Sequence, residues 1–320
     1  MCVARETMVE TLPRISVVMP LYNKSAYVLR AIESALAQGE AILEVVVVDD
    51  GSTDGGAAKV EALHDPRVRL VRKENGGVSS ARNRGIEEAR SEFVAFLDAD
   101  DVYLAGFADE MANLIERFPQ AIVYATSYLR RWPDGRETAN YLPHVIENNK
   151  MQIVDKAFRA WSRSSFFHIG SSCVRRKIFF ERRVFFPLGE NIGEDQDVIF
   201  RLMEAGEVAF SPKPLMAYSQ GITNSLYSAL PDYVLPCYHR LDQRVRSASY
   251  PMRHKKGARR VVAVSYLNAA RILMDKGKRI EAVGLVFSVR AVLFPTYWLR
   301  TLARLSLPNV LLKMLWLKWI

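Results

Sequence analysis

Short unbroken apolar runs alternate with stretches of helical spacing over the first hundred residues. Ile15-Ser16-Val17-Val18-Met19-Pro20 is such a run closed by proline, the pattern of a strand buried on both faces. From about Ser25 to Gln38, Val28, Ile32, Ala35 and Leu36 fall on one side of a helix, with Gly39 as its stop. Leu43 to Val48 is a second β-branched run and ends in Asp49-Asp50-Gly51-Ser52. A helix over Gly55–His64, a strand over Val68–Val71, a helix over Ser79–Ala89 and a strand over Phe93–Leu97 follow. This alternation with short loops predicts a parallel, doubly wound α/β sheet. The fingerprint Gly-x-Gly-x-x-Gly is absent after the first strand, which argues against a dinucleotide dehydrogenase.

Beyond that unit the pattern predicts a helix over Ala105–Phe118 and a strand over Ala121–Leu129. Arg131 to Lys150 reads as a polar loop or hairpin around Pro133-Asp134-Gly135, and Ile169–Val174 as another apolar stretch. Gly193-Glu194-Asp195-Gln196-Asp197 opens a helix running to about Glu204. Gly206 to Tyr218 holds a short strand broken by Pro212 and Pro214, and after Pro231 the chain reads as helical to its end. No repeat or low-complexity segment is visible.

Composition changes this picture in one respect. The 320 residues are ordinary in being 49% hydrophobic and 25% charged, but the net charge of +9 is unevenly spread. From His239 onward there are 17 Lys/Arg against 3 Asp/Glu, net +14; the preceding residues carry 27 against 32, net −5. An acidic half therefore precedes a basic one, and charge alone suits nucleic acid or anionic lipid. Cys2, Cys173 and Cys237 are widely spaced and form no Cys-x-x-Cys, which argues against a disulfide framework or zinc site. Glu6, Glu10 and Arg14 interrupt any apolar leader, so a reducing cytoplasmic setting is the expectation.

Candidate chemistry gathers at strand ends. Pro20-Leu21-Tyr22-Asn23 places Tyr22 over the carboxyl edge of the sheet, where a planar base can pack, although a plain turn has the same composition. Asp49-Asp50 ends the second strand, where a carboxylate can accept from a base N–H or a ribose hydroxyl; the alternative is a cap or turn. Asp98-Ala99-Asp100 closes the fourth strand, the position at which a carboxylate and diphosphate oxygens can share a hard divalent cation. Glu194-Asp195 lies at a predicted helix N-terminus, where a carboxylate serves either as general base or as a cap for first-turn amides.

Together these motifs resemble the inverting family 2 glycosyltransferases of the GT-A fold. The resemblance runs from about Arg14 to Ala229. It rests on Ser16–Asn23, Val46–Asp54, Asn75–Gly85, Phe96-Leu97-Asp98-Ala99-Asp100-Asp101 and Gly193-Glu194-Asp195. It implies a GT-A domain, a Rossmann-like, doubly wound and mostly parallel sheet, over 14–230, after an extension of 1–13 and before a basic, apolar helical region of 231–320. It implies that Pro20 and Tyr22 line a nucleoside pocket and that Asp50 binds a uracil-type base, with Arg82 and Asn83 on the bordering helix. Asp98 then faces ribose, Asp100 ligates Mn2+ or Mg2+, and Asp195, of the Glu194-Asp195 pair, is the catalytic base. The implied reaction moves one sugar from a nucleotide sugar, UDP-linked by this reading, to a glycan or lipid-linked hydroxyl in cell-surface polysaccharide or glycolipid synthesis. Two departures stand out. The Tyr-Arg pair and the histidine that many relatives carry after the base helix are missing from Tyr218-Ser219-Gln220-Gly221-Ile222-Thr223-Asn224; Gln220, Thr223 or Asn224 are the available substitutes. The Gln-x-x-Arg-Trp signature of processive synthases is also missing, since Tyr128 stands where glutamine would precede Arg131-Trp132, which favours single-sugar transfer.

Residues 282–320 interleave aromatic and aliphatic residues with Arg290, Arg300, Arg304, Lys313 and Lys318, and are interrupted by Pro295 and Pro308. No uncharged run approaches the ~20 residues of a membrane span. The pattern suits a helix lying at a lipid surface with Trp298, Trp316 and Trp319 as anchors, or packing on the catalytic domain. A peripheral position at the cytoplasmic face of a membrane follows as the expectation, and no nucleic-acid motif accompanies the charge. Two other readings remain: a sugar-phosphate nucleotidyltransferase, which wants a glycine- and arginine-rich loop after strand one that Tyr22-Asn23-Lys24 does not supply, and a degenerate nucleotide-binding scaffold.

Overall fold

The computed structural model describes residues 13–222, 231–288 and 294–306. Its first half follows the apolar pattern: β1 (Ile15–Leu21), α1 (Val28–Leu36), β2 (Ile42–Asp49), α2 (Gly56–Glu61), β3 (Val68–Arg72), α3 (Val78–Glu88) and β4 (Phe93–Phe96). These strands lie in the order β3-β2-β1-β4, all parallel. Both faces are covered, as a continuous apolar run requires. Ile15, Val17 and Met19 pack with Val28 and Ile32 of α1, whereas Val18 packs on the opposite face with Ile86 of α3.

The rest of the sheet is mixed. After β5 (Val102–Tyr103) and α4 (Phe107–Arg117) come β6 (Val123–Arg131), β7 (Glu137–Ala139), β8 (Gln152–Ile153), α5 (Ala157–Trp161), β9 (Ser172–Arg175), α6 (Lys177–Glu181), α7 (Glu194–Ala205) and β10 (Val208–Ser219). The sheet continues from β4 as β9-β6-β10-β5, with β9 antiparallel to both β4 and β6, and β10 parallel to β6. The polar region around Pro133 forms the antiparallel β6–β7 pair.

One expectation needs correcting. Pro212 and Pro214 do not break the strand, since β10 is continuous over twelve residues. Instead its register against β6 shifts between Ser211 and Pro214 and again before Ala217. On the other side, β8 pairs only at Ala209 and Phe210 and β5 only at Met216 and Ala217, so no neighbour on that side asks a proline for an N–H.

The C-terminal helices are α8 (Pro236–Arg246), α9 (Met252–Asp275), α10 (Arg279–Val286) and α11 (Pro295–Ser306). They share the core of the α/β layer: Cys237, Leu241, Ala258 and Val262 pack in one cluster with Phe96, Phe158 and Val198. Farther along, Leu267, Leu273, Ala282 and Val286 gather Tyr297, Trp298 and Leu302. Trp298 donates its indole N–H to the Val286 carbonyl, so this expected lipid anchor is partly buried against α10. Trp316, Trp319, Arg290, Lys313, Lys318 and Pro308 lie outside the described residues. Among the described residues no helix is long and apolar enough to cross a membrane. Cys173 and Cys237 are buried free thiols.

α3 rests on β1 through Gly85, where a Cβ would stand 2.2 Å from Val18 Cγ1. Gly85→Ala should therefore destabilise the protein by about 1–3 kcal/mol despite alanine's higher helix propensity. Urea denaturation checks this; an unchanged or raised midpoint would refute the close α3–β1 packing.

Candidate functional site

Strand direction decides where side chains with chemistry meet. The C-terminal ends of β1, β2, β4, β6 and β10 share one edge of the sheet, and antiparallel β9 begins there. That edge and the start of α7 enclose a cavity of about 840 Å³. Pro20 and Tyr22 line it from β1, Asp50 from β2, Asp98 and Asp100 from β4, Tyr128 and Arg130 from β6, and Tyr218 and Gln220 from β10. Arg82 enters from α3, and Glu194 and Asp195 from the first turn of α7. Tyr22 is half exposed, with its ring available to a planar group.

The loops at this edge are tied to one another. The Asp50 carboxylate accepts from the Gly76 and Gly77 amides at 2.9 and 2.8 Å and from Lys73 Nζ at 2.6 Å. It thereby shapes the turn into α3, where Gly77 has φ +84°. Asp49 instead closes its own turn, accepting from the Ser52 amide at 3.1 Å. The Asp98–Asp101 turn is fixed from outside: Arg30 donates to the Asp100 carbonyl at 3.0 Å, and the Ser219 amide donates to Asp101 Oδ1 at 2.8 Å. Asp101 Oδ2 is buried without a partner, and burial together with the neighbouring Asp100 and Asp98 charges pushes its carboxyl well up.

At the centre lies Arg82, only 3% exposed. It donates to Asp98 Oδ1 at 2.7 Å and to Glu194 Oε1 at 2.9 Å, and its guanidinium lies 5.3 Å from the Phe186 ring centroid. Burial works against its charge, but Asp98 and Glu194 more than offset this and raise its pKa. The same pair keeps Asp98 ionised: burial pushes its carboxyl up, while Arg82 and then His168 pull it below the ordinary value. At Asp100, burial and the Asp98 charge outweigh Lys24, at 2.7 Å, and a backbone amide, and its carboxyl is pushed up.

The two carboxylates of α7 part company. Glu194 faces Arg82, whereas Asp195 accepts the Gln196 amide at 2.7 Å through Oδ1 and leaves Oδ2 3.8 Å from His168 Nε2. Burial pushes both carboxyls above their usual range. His168 Nδ1 accepts the Gly170 amide N–H at 3.1 Å, so a neutral ring carries its proton on Nε2, toward Asp195. Burial lowers the pKa of this imidazole, which stacks on Tyr218 with centroids 5.0 Å apart.

Of the residues singled out from sequence, Pro20, Tyr22, Asp50, Arg82, Asp98, Asp100, Glu194 and Asp195 all border the one cavity. Asn83 does not: its side-chain amide clamps the backbone of Phe186 with bonds of 2.9 and 2.8 Å. Gln220 borders it too, while Thr223 and Asn224 lie outside the described residues. His168, Lys24, Trp161 and Arg130 were missed. The usable signal for His168 was its place just before an apolar run, provided that run was taken as antiparallel.

The donors fit a hard divalent cation in part. Asp98 and Asp100 offer the oxygen ligands such an ion takes. Among the described residues, however, no three His, Cys, Asp or Glu side chains form a metal-holding cluster, so most of the shell would have to come from a ligand and water.

Comparison with known proteins bears on the whole arrangement. The family model described as glycosyl transferase family 2 matches residues 16–183. The uncharacterized glycosyltransferase EpsJ of Bacillus subtilis is 28% identical over 224 residues, covering 67% of this chain and 63% of that protein. The succinoglycan biosynthesis protein ExoO of Rhizobium meliloti is 44% identical over 110 residues, 34% of this chain and 31% of that one. This chain thus spans less than two thirds of the length of either relative. Among solved structures, S. aureus TarS 1-349 in complex with UDP-GlcNAc superposes with a TM-score of 0.58 at 21% identity, over 91% of this chain and 80% of that one, which establishes a shared fold.

The Arg82 pairs generate a prediction. Arg82→Gln leaves two inward-facing carboxylates without their cation and should cost about 3 kcal/mol or more in urea denaturation. Arg84→Gln, two residues along the same helix, loses only an exposed pair with Glu88 and should change stability by about 0.5 kcal/mol or less. Equal effects would contradict the central place given to Arg82.

Proposed function

The chain belongs to glycosyl transferase family 2, and from that membership we propose that it transfers a single sugar from a UDP-linked donor to a hydroxyl of a glycan or lipid-linked acceptor. The observation that carries the reading is the convergence of Tyr22, Asp50, Asp98, Asp100 and Asp195 on one cavity large enough for a nucleotide sugar. A UDP-linked sugar as the first donor to test is supported by the TarS structure of like fold, which holds UDP-GlcNAc. Cell-surface polysaccharide or glycolipid synthesis is supported by the name of the succinoglycan relative.

In this reading Pro20 and Tyr22 pack on the nucleoside. Asp50 Oδ2, which accepts a single amide from the loop, takes the base N–H, and Asp98 takes ribose. Mn2+ or Mg2+ bound at Asp100 and the diphosphate would offset the charge that grows on the leaving group. Asp195 Oδ2 removes the proton from the acceptor hydroxyl. The hydroxyl oxygen then bonds to the anomeric carbon from the face opposite the diphosphate, the carbon–oxygen bond to the diphosphate breaks, and UDP leaves with inversion at that carbon. Glu194 acts through Arg82 as a positioning residue. His168, presenting Nε2–H to Asp195, stabilises the carboxylate form of the base before proton transfer.

The basic C-terminal region supports a peripheral position at the cytoplasmic face of a membrane, beside a lipid-linked acceptor. The competing reading is a degenerate nucleotide-binding scaffold.

UDP release from a panel of UDP-sugars, followed with and without Mn2+, separates these. Wild type should release UDP from at least one sugar, and Asp195→Asn should lower that rate about 100-fold or more while UDP still binds. Because the Asp195 carboxyl is pushed up and must be ionised to act, the rate should fall on acidification at a pH above the ordinary aspartate value of about 3.9. Full activity in Asp195→Asn would remove the base assignment. UDP binding with no turnover of any donor would favour the scaffold.

A further inference from the structure

α5 borders two concavities. Trp161 lines the one described above, whereas Phe158 and Arg159, with Lys156 just before the helix, line a second of about 330 Å³ against the first turns of α9. The two helices approach closely because residue 257 is glycine: a Cβ there would stand 2.8 Å from the Phe158 Cβ and 3.0 Å from the Arg159 amide nitrogen.

Five cationic side chains line this second cavity, Lys156, Arg159, Arg253, Lys256 and Arg260, and no carboxylate does. Among the described residues none of the five lies within 4.0 Å of an Asp or Glu oxygen. Elsewhere in the same helical layer several arginines are paired with carboxylates, Arg240 with Glu190, Arg244 with Glu204 and Arg304 with Asp275. Arg159 Nε is buried and makes no hydrogen bond. Arg260 lies over the Phe294 ring at 4.8 Å; burial and the Arg159 and Arg163 charges hold its pKa below the usual arginine value. The positive end of the α9 dipole adds to the same potential. Like charges held together around a concavity, one with an unsatisfied buried donor, are arranged for an anion rather than for stability.

We propose that this cavity binds a phosphate group, with Arg159 and Arg260 as its inner ligands and Lys156, Arg253 and Lys256 around them. Planar guanidinium groups donate pairs of N–H bonds to phosphate oxygens, and the lysines add mobile point charges. The phosphate can belong to an anionic lipid headgroup or to a soluble phosphate ester. The site stands apart from the proposed transfer chemistry and does not depend on it.

The full chain, free of UDP and other phosphates, is titrated with sn-glycerol 1-phosphate by calorimetry, and the cavity variants below tell this site from the first cavity. In parallel it is floated with phosphatidylcholine vesicles with and without phosphatidylglycerol. Binding in at least one arm should weaken on the order of tenfold or more in Arg159→Gln/Arg260→Gln. Binding only to phosphatidylglycerol vesicles assigns the site to a lipid headgroup; binding only to glycerol phosphate assigns it to a soluble ester. No binding in either arm, or a double variant that binds as wild type does, overturns the proposal. Should that variant lose its folded circular dichroism, Lys156→Gln/Lys256→Gln, at exposed positions, carries the same test with the same direction. Failure of UDP to bind would count against the proposed function alone, since the variants still locate the phosphate.

Discussion

A guanidinium almost closed off from water, held between carboxylates from distant parts of the chain, organises this molecule. Arg82 brings Asp98, at the end of β4, and Glu194, at the start of α7, to one centre. A buried charge of this kind contributes little net stability, because desolvation opposes the attraction. What it does is make one arrangement far better than its alternatives, since displacing either carboxylate leaves an uncompensated charge. Asp100 and Asp195 are each one or two residues from an Arg82 partner, so the same centre fixes both faces of the cavity. It also lets several carboxylates share a space in which they would otherwise repel one another.

The remaining contributions come from strand direction. Ends of the strands that run with β1 bring Tyr22, Asp50, Asp98, Tyr128 and Tyr218 to one edge, and reversal of β9 brings His168 to the same edge from the opposite sense. The charge of the chain divides along similar lines. The acidic half holds the cavity with its carboxylates, and the basic half packs α8 and the first part of α9 into the same core. α5 sits between them, touching the carboxylate-lined cavity at Trp161 and the cation-lined one at Arg159.

Much of this was legible in the sequence because the first four strands are buried on both faces and read as unbroken apolar runs. Asp98 and Asp100 could be placed at a strand end for the same reason. His168 and Arg130 could not, since nothing local distinguishes a parallel strand from an antiparallel one; the partner decides. β10 looked broken because proline lacks an N–H, yet its prolines fall where the neighbours on one side have ended. Residue type also misled at Asn83, whose position one residue after Arg82 turns it away from the cavity and onto Phe186. The split between Glu194 and Asp195 depends on which one Arg82 reaches, and no spacing rule supplies that.

The central claim is that the edge organised by Arg82 receives the nucleotide. Amide hydrogen exchange, followed with and without UDP and Mn2+, tests it most directly by locating the ligand. Slowed exchange over Asn75–Gly77 and Asp98–Asp101 is the predicted result. Protection confined to the α5–α9 cavity, or no protection at saturating UDP, would contradict it.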